Sequence, residues 1–264
     1  MKLVKPKKFL GQHFLNDLSI AQRIADTVDT APELPILEVG PGMGVMTQFL
    51  MQKGRPLEVV ELDFESVAYL RGVYPQLEEG IHEEDFLTMH LEHLFDGKPF
   101  VLTGNYPYNI SSQIFFKMLE HKDQIPVCTG MIQREVAQRI AATPGGKIYG
   151  ILSVLIQAWY DVEYLFTVDE TVFSPPPKVK SAVIRMTRNK VTDLGCDEAL
   201  FKTVVKTTFN QRRKMLRGSL KALVNKDDEM LKDPIFTRRP ETFSVQEFID
   251  LTNRVAAAQN GSNR

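Results

Sequence analysis

The sequence is poor in cysteine: Cys128 and Cys196 stand far apart with no C-x-x-C spacing. That excludes a disulfide framework and a cysteine-based zinc site, and leaves both as small core residues. His90 and His93 lie one helical turn apart but have no third ligand nearby, so no metal is expected. Apolar runs of membrane-spanning length are missing too. Lys2, Lys5, Lys7 and Lys8 open the chain, yet Gln12, His13 and Asn16 break the apolar run a secretory signal needs, so a cytoplasmic protein is the simplest account. Overall basicity is absent, because the net charge is −1; this excludes a uniformly cationic chain but not charge gathered in one segment. No internal repeat or low-complexity tract occurs. What remains is a globular composition, 43% hydrophobic and 25% charged, in 264 residues. That length suits one large domain or a medium domain with a small one.

The chain is organised around Thr103-Gly104-Asn105-Tyr106-Pro107-Tyr108-Asn109-Ile110-Ser111. Before this stretch Phe100-Val101-Leu102 reads as a buried strand, and after it Ile114, Phe115, Met118 and Leu119 recur at helical spacing. The loop therefore lies at a strand's carboxyl end, the edge where open α/β sheets bind ligands. It offers an amide, a rigid proline carbonyl and an aromatic ring, the parts that hold a flat heterocycle bearing an amino group. Asn-x-Pro alone is only a turn signal; the surrounding segments decide.

Upstream, Lys7-Lys8-Phe9-Leu10-Gly11-Gln12-His13-Phe14-Leu15 mixes cations with apolar residues that are costly to leave in water, so it is expected to dock on the body and shape a site. Ile20, Ile24 and Val28 mark a helix, with Asp17 or Ser19 as its N-cap. The strand Ile36-Leu37-Glu38-Val39 runs into Gly40-Pro41-Gly42-Met43-Gly44 and a helix through Val45, Phe49 and Leu50. Such glycines let the backbone turn sharply and approach a ligand. A dinucleotide fingerprint wants Gly or Ala where Val45 stands, which weighs against nicotinamide or flavin. The strand Leu57–Val60 ends at Glu61, about twenty residues after Gly40, the separation at which an acid reaches ribose hydroxyls. Asp63 is either an alternative ribose ligand or a helix N-cap. After a short strand at Gly80–His82, Asp85 beside Phe86 pairs an acceptor for an adenine amine with a cover for its ring.

Further strands are expected at Val127–Ile132, Val162–Thr167 and Ala182–Met186, with helices through Val136–Ile140 and Ile151–Ala158. Phe173-Ser174-Pro175-Pro176-Pro177-Lys178-Val179 is a stiff connector: either a polyproline linker or a rigid wall of the site, with Phe173 stacking on a base. A domain boundary falls in the polar segment Asn189–Gly195, dividing the chain into 1–190 and a helical 191–264. From Ala199 to Lys226 eight cations, among them Arg212, Arg213 and Lys214, occur without one Asp or Glu. Interleaved with Phe209, Asn210 and Gln211, they resemble a phosphate-binding surface more than a solvated face.

Taken in order, Leu10-Gly11-Gln12-His13-Phe14-Leu15, Glu38 to Gly44, Glu61-Leu62-Asp63, Asp85-Phe86, Asn105 to Ser111, Phe173 to Val179 and Phe209 to Lys214 resemble the small-subunit ribosomal RNA adenine dimethyltransferases of the KsgA type. The resemblance spans nearly the whole chain. It implies a Rossmann-like class I methyltransferase domain, with a mostly parallel seven-stranded sheet flanked by helices, and a small all-helical carboxyl-terminal RNA-binding domain. It further implies a monomer using S-adenosylmethionine to dimethylate two adjacent adenosines near the 3′ end of the small-subunit RNA, within an assembling 30S particle. By motif, His13, Leu15, Gly40, Glu61, Asp85 and Asn105 hold the donor, and Asn105, Pro107 and Tyr108 orient the acceptor. Phe173, Lys178, Arg212, Arg213 and Lys214 then meet the RNA. Two positions depart from the family pattern: His13, where Asn is frequent, and Tyr106, where Leu is common. Competing readings are a large-subunit adenine methyltransferase of the resistance type, a non-catalytic RNA-binding assembly factor, and a dinucleotide oxidoreductase.

Overall fold

The computed structural model describes residues 4–7 and 10–261; Lys2, Lys8 and Phe9, part of the expected amino-terminal segment, lie outside the described residues. The chain forms two compact units, Met1–Ala137 with Asp161–Arg188, and Gln138–Tyr160 with Asn189–Arg264.

The first unit is built on a seven-stranded sheet. In chain order its strands are β2 (Ile36–Val39), β3 (Leu57–Val60), β4 (Ile81–His82), β5 (Val101–Gly104), β6 (Val127–Gln133), β7 (Tyr160–Val168) and β9 (Ser181–Arg188). A separate ribbon joins β1 (Phe14–Leu15) to β8 (Phe173–Ser174). The sheet order is β4-β3-β2-β5-β6-β9-β7, with β4 to β6 parallel and β9 antiparallel to β6. The chain steps outward from β2 to β4 and then returns to the other side of β2 with β5. That reversal opens a crevice at the carboxyl ends of β2 and β5. All four residues of β2 are buried, as in a strand covered on both faces, although one of them is Glu38.

Asp17, rather than Ser19, caps α1 (Leu18–Ala25), accepting from the backbone N–H groups of Ser19 and Ile20. The apolar spacing after the glycine loop yields only a short α2 (Thr47–Met51), because Gly40, Gly42 and Gly44 hold positive φ values of 68°, 56° and 76° and delay the helix. Asp63 settles as the N-cap of α3 (Phe64–Val73) and accepts from Glu65 N. The helix after the loop from Asn105 to Ile110 is α4 (Ser111–Glu120), and α5 (Arg134–Ile140) follows β6.

The ribbon of β1 and β8 was not expected as paired strands. Two-residue strands have no periodicity to read, and their pairing joins segments far apart in the chain: Phe14 opposes Ser174 and Leu15 opposes Phe173. Leu15 and Phe173 are both buried in the core cluster that holds Ile24, Ile36 and Val183. The apolar cost of the amino terminus is thereby relieved.

The second unit is helical among its described residues from Asn189 onward: α7 (Glu198–Asn210), α8 (Leu216–Ser219) and α9 (Val245–Gly261), with several 3-10 turns. It also takes in α6 (Ile151–Gln157), whose buried Leu152, Val154, Leu155 and Ile156 pack with α7 and α9. Tyr149 meets Phe209 at 6.1 Å, and Phe248 meets both Phe209 and Phe243 at 5.7 Å, forming an aromatic core. Glu247 and Ser244 close a reciprocal capping box at the start of α9.

Candidate active site

A cavity of about 210 Å³ lies in the crevice at the ends of β2 and β5. One wall is the glycine loop, where a side chain at Gly42 would come within 3.1 Å of the Phe14 ring. Glu61, buried at the end of β3, accepts from Gly42 N and Asp63 N, both at 2.9 Å. Burial pushes its carboxyl above the ordinary value even though these N–H groups favour the ion. Asp85 accepts from Leu87 N at 2.9 Å through one oxygen, leaving the other for a ligand donor. Glu38, 1% exposed, receives the Thr47 hydroxyl at 2.6 Å, and burial raises it to about 8. Three carboxyl groups and a glycine-rich loop thus face one cavity, an acceptor set suited to a ligand rich in hydroxyl and amino groups.

The amino-terminal segment closes another side. Leu10 to Leu15 line the cavity, and the segment is fixed by Lys7 and by Gln12 Nε2, which both reach Asp63, the latter at 3.0 Å. Lys7 also lies 4.5 Å above the Phe64 ring. Asp63 is therefore engaged by the strap and by its own helix, which leaves Glu61 as the carboxylate offered to the cavity.

The loop from Asn105 to Ile110 leaves the sheet as an extension of β5, for Asn105 bridges Met131 and Tyr106 N donates to Met131 O at 3.0 Å. Tyr106 turns into the core: its hydroxyl donates to Thr129 O at 2.9 Å and its ring fills the space left by Gly130, where a Cβ would stand 2.7 Å from Cε2. Tyr106, one of the two departures from the family pattern, is thus a buried anchor of the loop. Asn105 Nδ2 donates to His13 O at 3.3 Å, an orientation that leaves Oδ1 as an acceptor. Pro107 O accepts from Ile110 N at 3.2 Å and has a second lone pair. Tyr108 hydrogen-bonds Ser181 and stacks with His13 at 5.6 Å and 27°.

The family model for ribosomal RNA adenine dimethylases matches residues 4–255. The chain belongs to this family. It is 74% identical over 258 residues to a ribosomal RNA small subunit methyltransferase A of Phocaeicola vulgatus, covering 98% of this chain and 92% of the relative. The corresponding protein of Bacteroides thetaiotaomicron is also 74% identical over 258 residues, with 98% and 97% covered. A dimethyladenosine transferase from Plasmodium falciparum superposes with a TM-score of 0.76 at 20% identity, covering 92% and 98% of the two chains, a likeness of fold. The 23S ribosomal RNA methyltransferase ErmE superposes with a TM-score of 0.65 at 25% identity, covering 91% and 99%.

Within this ribosomal RNA adenine dimethylase fold, His13, Leu15, Gly40, Glu61, Asp85, Asn105, Pro107 and Tyr108 all line the one cavity. Phe173 does not. It is 3% exposed, packed in the core and paired with Leu15 across the ribbon, so the stacking wall assigned to it is corrected to a structural role. Lys178 is exposed and borders a separate groove with Arg134 and Lys180. In the second unit Arg213 and Lys214 are exposed, whereas Arg212 is half-buried and donates to Gly146 O at 3.2 Å, with Glu241 at 3.8 Å. The counter-charge missing from the basic stretch lies outside it in sequence. Phe209 belongs to the aromatic core rather than to the surface.

Two buried residues were missed, Glu38 in the cavity wall and Lys117 outside it. Glu38 carried a signal, an acid within an otherwise apolar four-residue strand. Lys117 occupies an apolar-face position of α4, three residues after Ile114, and is buried. Among the described residues no group of three His, Cys, Asp or Glu side chains could hold a metal, and no helix is long and apolar enough to cross a membrane.

Proposed function

We propose that this chain transfers methyl groups from S-adenosylmethionine to the N6 amines of two adjacent adenosines near the 3′ end of small-subunit ribosomal RNA, leaving both dimethylated. The observation that carries the reading is the acceptor loop. Asn105 presents Oδ1, and Pro107 a carbonyl with a spare lone pair, beside the glycine loop in one cavity. An exocyclic adenine amine is a weak nucleophile because its lone pair is delocalised into the ring. When Asn105 Oδ1 and Pro107 O accept its two hydrogens, the nitrogen is drawn toward tetrahedral geometry and its lone pair would attack the methyl carbon in line: the N–C bond forms as the S–C bond breaks, S-adenosylhomocysteine leaves as a neutral thioether, and the nitrogen loses one proton to water. In the second transfer the monomethylated amine has one N–H left for one of the two acceptors.

S-adenosylmethionine supplies a methyl group on a positively charged sulfur, already activated for displacement. The chain's part is therefore positioning and electrostatics. Gly40 lets the backbone approach the methionine portion, Glu61 accepts from the ribose hydroxyls, and Asp85 accepts from the donor's adenine amine. His13 and Leu15 close the cavity from the docked amino terminus. Tyr108 holds the ring of an adenine taken out of its stack.

Arg213, Lys214 and Lys178 serve as RNA contacts, with the helical unit as the RNA-binding part. The assembling 30S particle is the setting, the cytoplasm the place, and a monomer the active form. Relatives 74% identical named for the small subunit favour that RNA over the large-subunit RNA in the name of ErmE. The intact loop from Asn105 to Tyr108 favours catalysis over a purely structural assembly role. Mass spectrometry of small-subunit RNA from cells with and without the protein tests the reading: loss of two neighbouring dimethyladenosines is expected, and their persistence would refute it.

A further inference from the structure

Lys117 lies on the buried side of α4, with 8% of its surface exposed. Its ammonium donates to Phe86 O at 2.6 Å and to Met89 O, and stands 5.2 Å from the centre of the Phe86 ring. Burying an ammonium costs free energy, which hydrogen bonds to two main-chain carbonyls offset. Burial lowers its pKa, while Glu92, Asp85, Glu84 and Glu120 act in the opposite direction.

The carbonyls it gathers belong to the turn that begins at Asp85. In that turn Asp85 O already accepts from Thr88 N at 3.0 Å and Met89 N at 2.9 Å, while the Asp85 carboxylate accepts from Leu87 N at 2.9 Å. Phe86 O and Met89 O are turned inward, and the Lys117 ammonium answers both. The acceptor loop ends at Ile110 and α4 begins at Ser111, so one short helix connects the acceptor loop to the turn that carries Asp85.

We propose that Lys117 is a positioning residue for donor recognition: by clamping Phe86 O and Met89 O it sets the Asp85 carboxylate at the height where it accepts from the donor's adenine amine. The inference rests on the assignment of Asp85 to that amine. Lys117 itself touches no ligand; it fixes the turn that does.

The test is equilibrium binding of S-adenosylhomocysteine and of its analogue in which the adenine amino group is replaced by hydrogen, to the wild-type chain and to Lys117→Met. The wild type is expected to bind the analogue about ten- to a hundredfold more weakly, the worth of a hydrogen bond to a charged acceptor. In Lys117→Met the gap should close to within about threefold, because S-adenosylhomocysteine falls toward the analogue. If the folded variant keeps the full gap, or weakens both ligands by one common factor, Lys117 is merely structural and the inference is wrong. Should Lys117→Met fail to fold, Lys117→Gln, whose amide offers a shorter neutral donor, should give an intermediate gap; a gap equal to the wild type overturns the idea. A wild type that does not discriminate refutes the assignment of Asp85, and this inference with it.

Discussion

In the first unit, in the cavity wall and in the residues bonded to it, charge is buried and held by named partners: Glu61 by two backbone N–H groups, Asp63 by Lys7 and Gln12, Lys117 by two carbonyls. In the basic stretch of the second unit Arg213, Lys214 and Arg217 stand exposed, while Arg212 is half-buried and donates to Gly146 O. The two regions use charge for different ends. A buried, hydrogen-bonded group fixes atoms to within a fraction of an ångström and acts at short range in low dielectric. An exposed cation acts at a distance, is screened by salt and tolerates replacement by another cation. Stereochemistry belongs to the first region and attraction to the second, so perturbations of the two should separate in kind.

The largest effect is expected at Asn105. Asn105→Ala removes an acceptor aimed at the reacting amine, and the rate of methyl transfer should fall by about a thousandfold, as when one oriented hydrogen-bond group is lost from a reacting centre. Donor affinity should fall far less, since Asn105 meets the donor only in part. Single-turnover rates beside calorimetric donor binding would decide this. Equal losses in both would make Asn105 a donor ligand and nothing more.

Glu61→Gln should show the reverse split. Donor affinity drops by about ten- to a hundredfold, because an amide can accept from only one oxygen and its NH₂ faces Gly42 N or Asp63 N, donors that it cannot satisfy. The rate at saturating donor should change less than the affinity. If the rate falls while the affinity holds, the carboxylate acts on the acceptor side and the division within the cavity is misdrawn.

The same contrast explains what could be read from the residues alone. β2 and β3 are observed over the residues expected, Ile36–Val39 and Leu57–Val60, because each is a mostly apolar four-residue run closed by glycine or acid. The cavity residues follow from that frame, since they sit at strand ends. What stayed hidden depends on distant partners. Phe173 has the look of a stacking aromatic until Leu15 is found opposite it, and Arg212 that of a free cation until Glu241 is found near it. Lys117 has no signal in the sequence, because no local pattern reveals two inward carbonyls about thirty residues upstream. The ribbon and the placement of α6 with the helical unit are likewise long-range packing, which no window of sequence contains.

A charge reversal at Arg213 and Lys214 together should weaken RNA binding by roughly tenfold at low salt and flatten the plot of log affinity against log salt by about one unit for each lost phosphate contact. Arg212→Ala should instead leave the slope near its original value and lower the melting temperature, because its guanidinium is spent on Gly146 O and Glu241. Filter binding across a salt series, with a melting curve for each variant, separates the two. A slope unchanged by the double reversal would take these cations out of the interface.

The smallest effect is also the sharpest check on the buried half. Glu38 is pushed to about 8 from an ordinary 4.5, with burial as the main cause and Glu61 adding to it, while the Thr47 hydroxyl opposes the shift. In the folded chain the group therefore keeps its proton up to about pH 8, whereas in the unfolded chain it ionises above about 4.5. Between those limits the unfolded state binds fewer protons, so stability falls as pH rises through the window, and the loss is complete above the folded value. Glu38→Gln removes that titration while its amide oxygen can still receive the Thr47 hydroxyl. The variant should melt at nearly the wild-type temperature near pH 4.5 and gain on it steadily to pH 8. Complete release of the shift is opposed by relaxation around the buried group, so the gain at pH 8 should be about 1 kcal/mol, or roughly 2–4 °C. Glu61 is present in both proteins, and its own raised value largely cancels in the difference. A constant offset at every pH would mean that Glu38 does not titrate within the window. A growing offset accompanied by weaker donor binding would show that this carboxyl is kept in the core for the ligand, against the interest of stability.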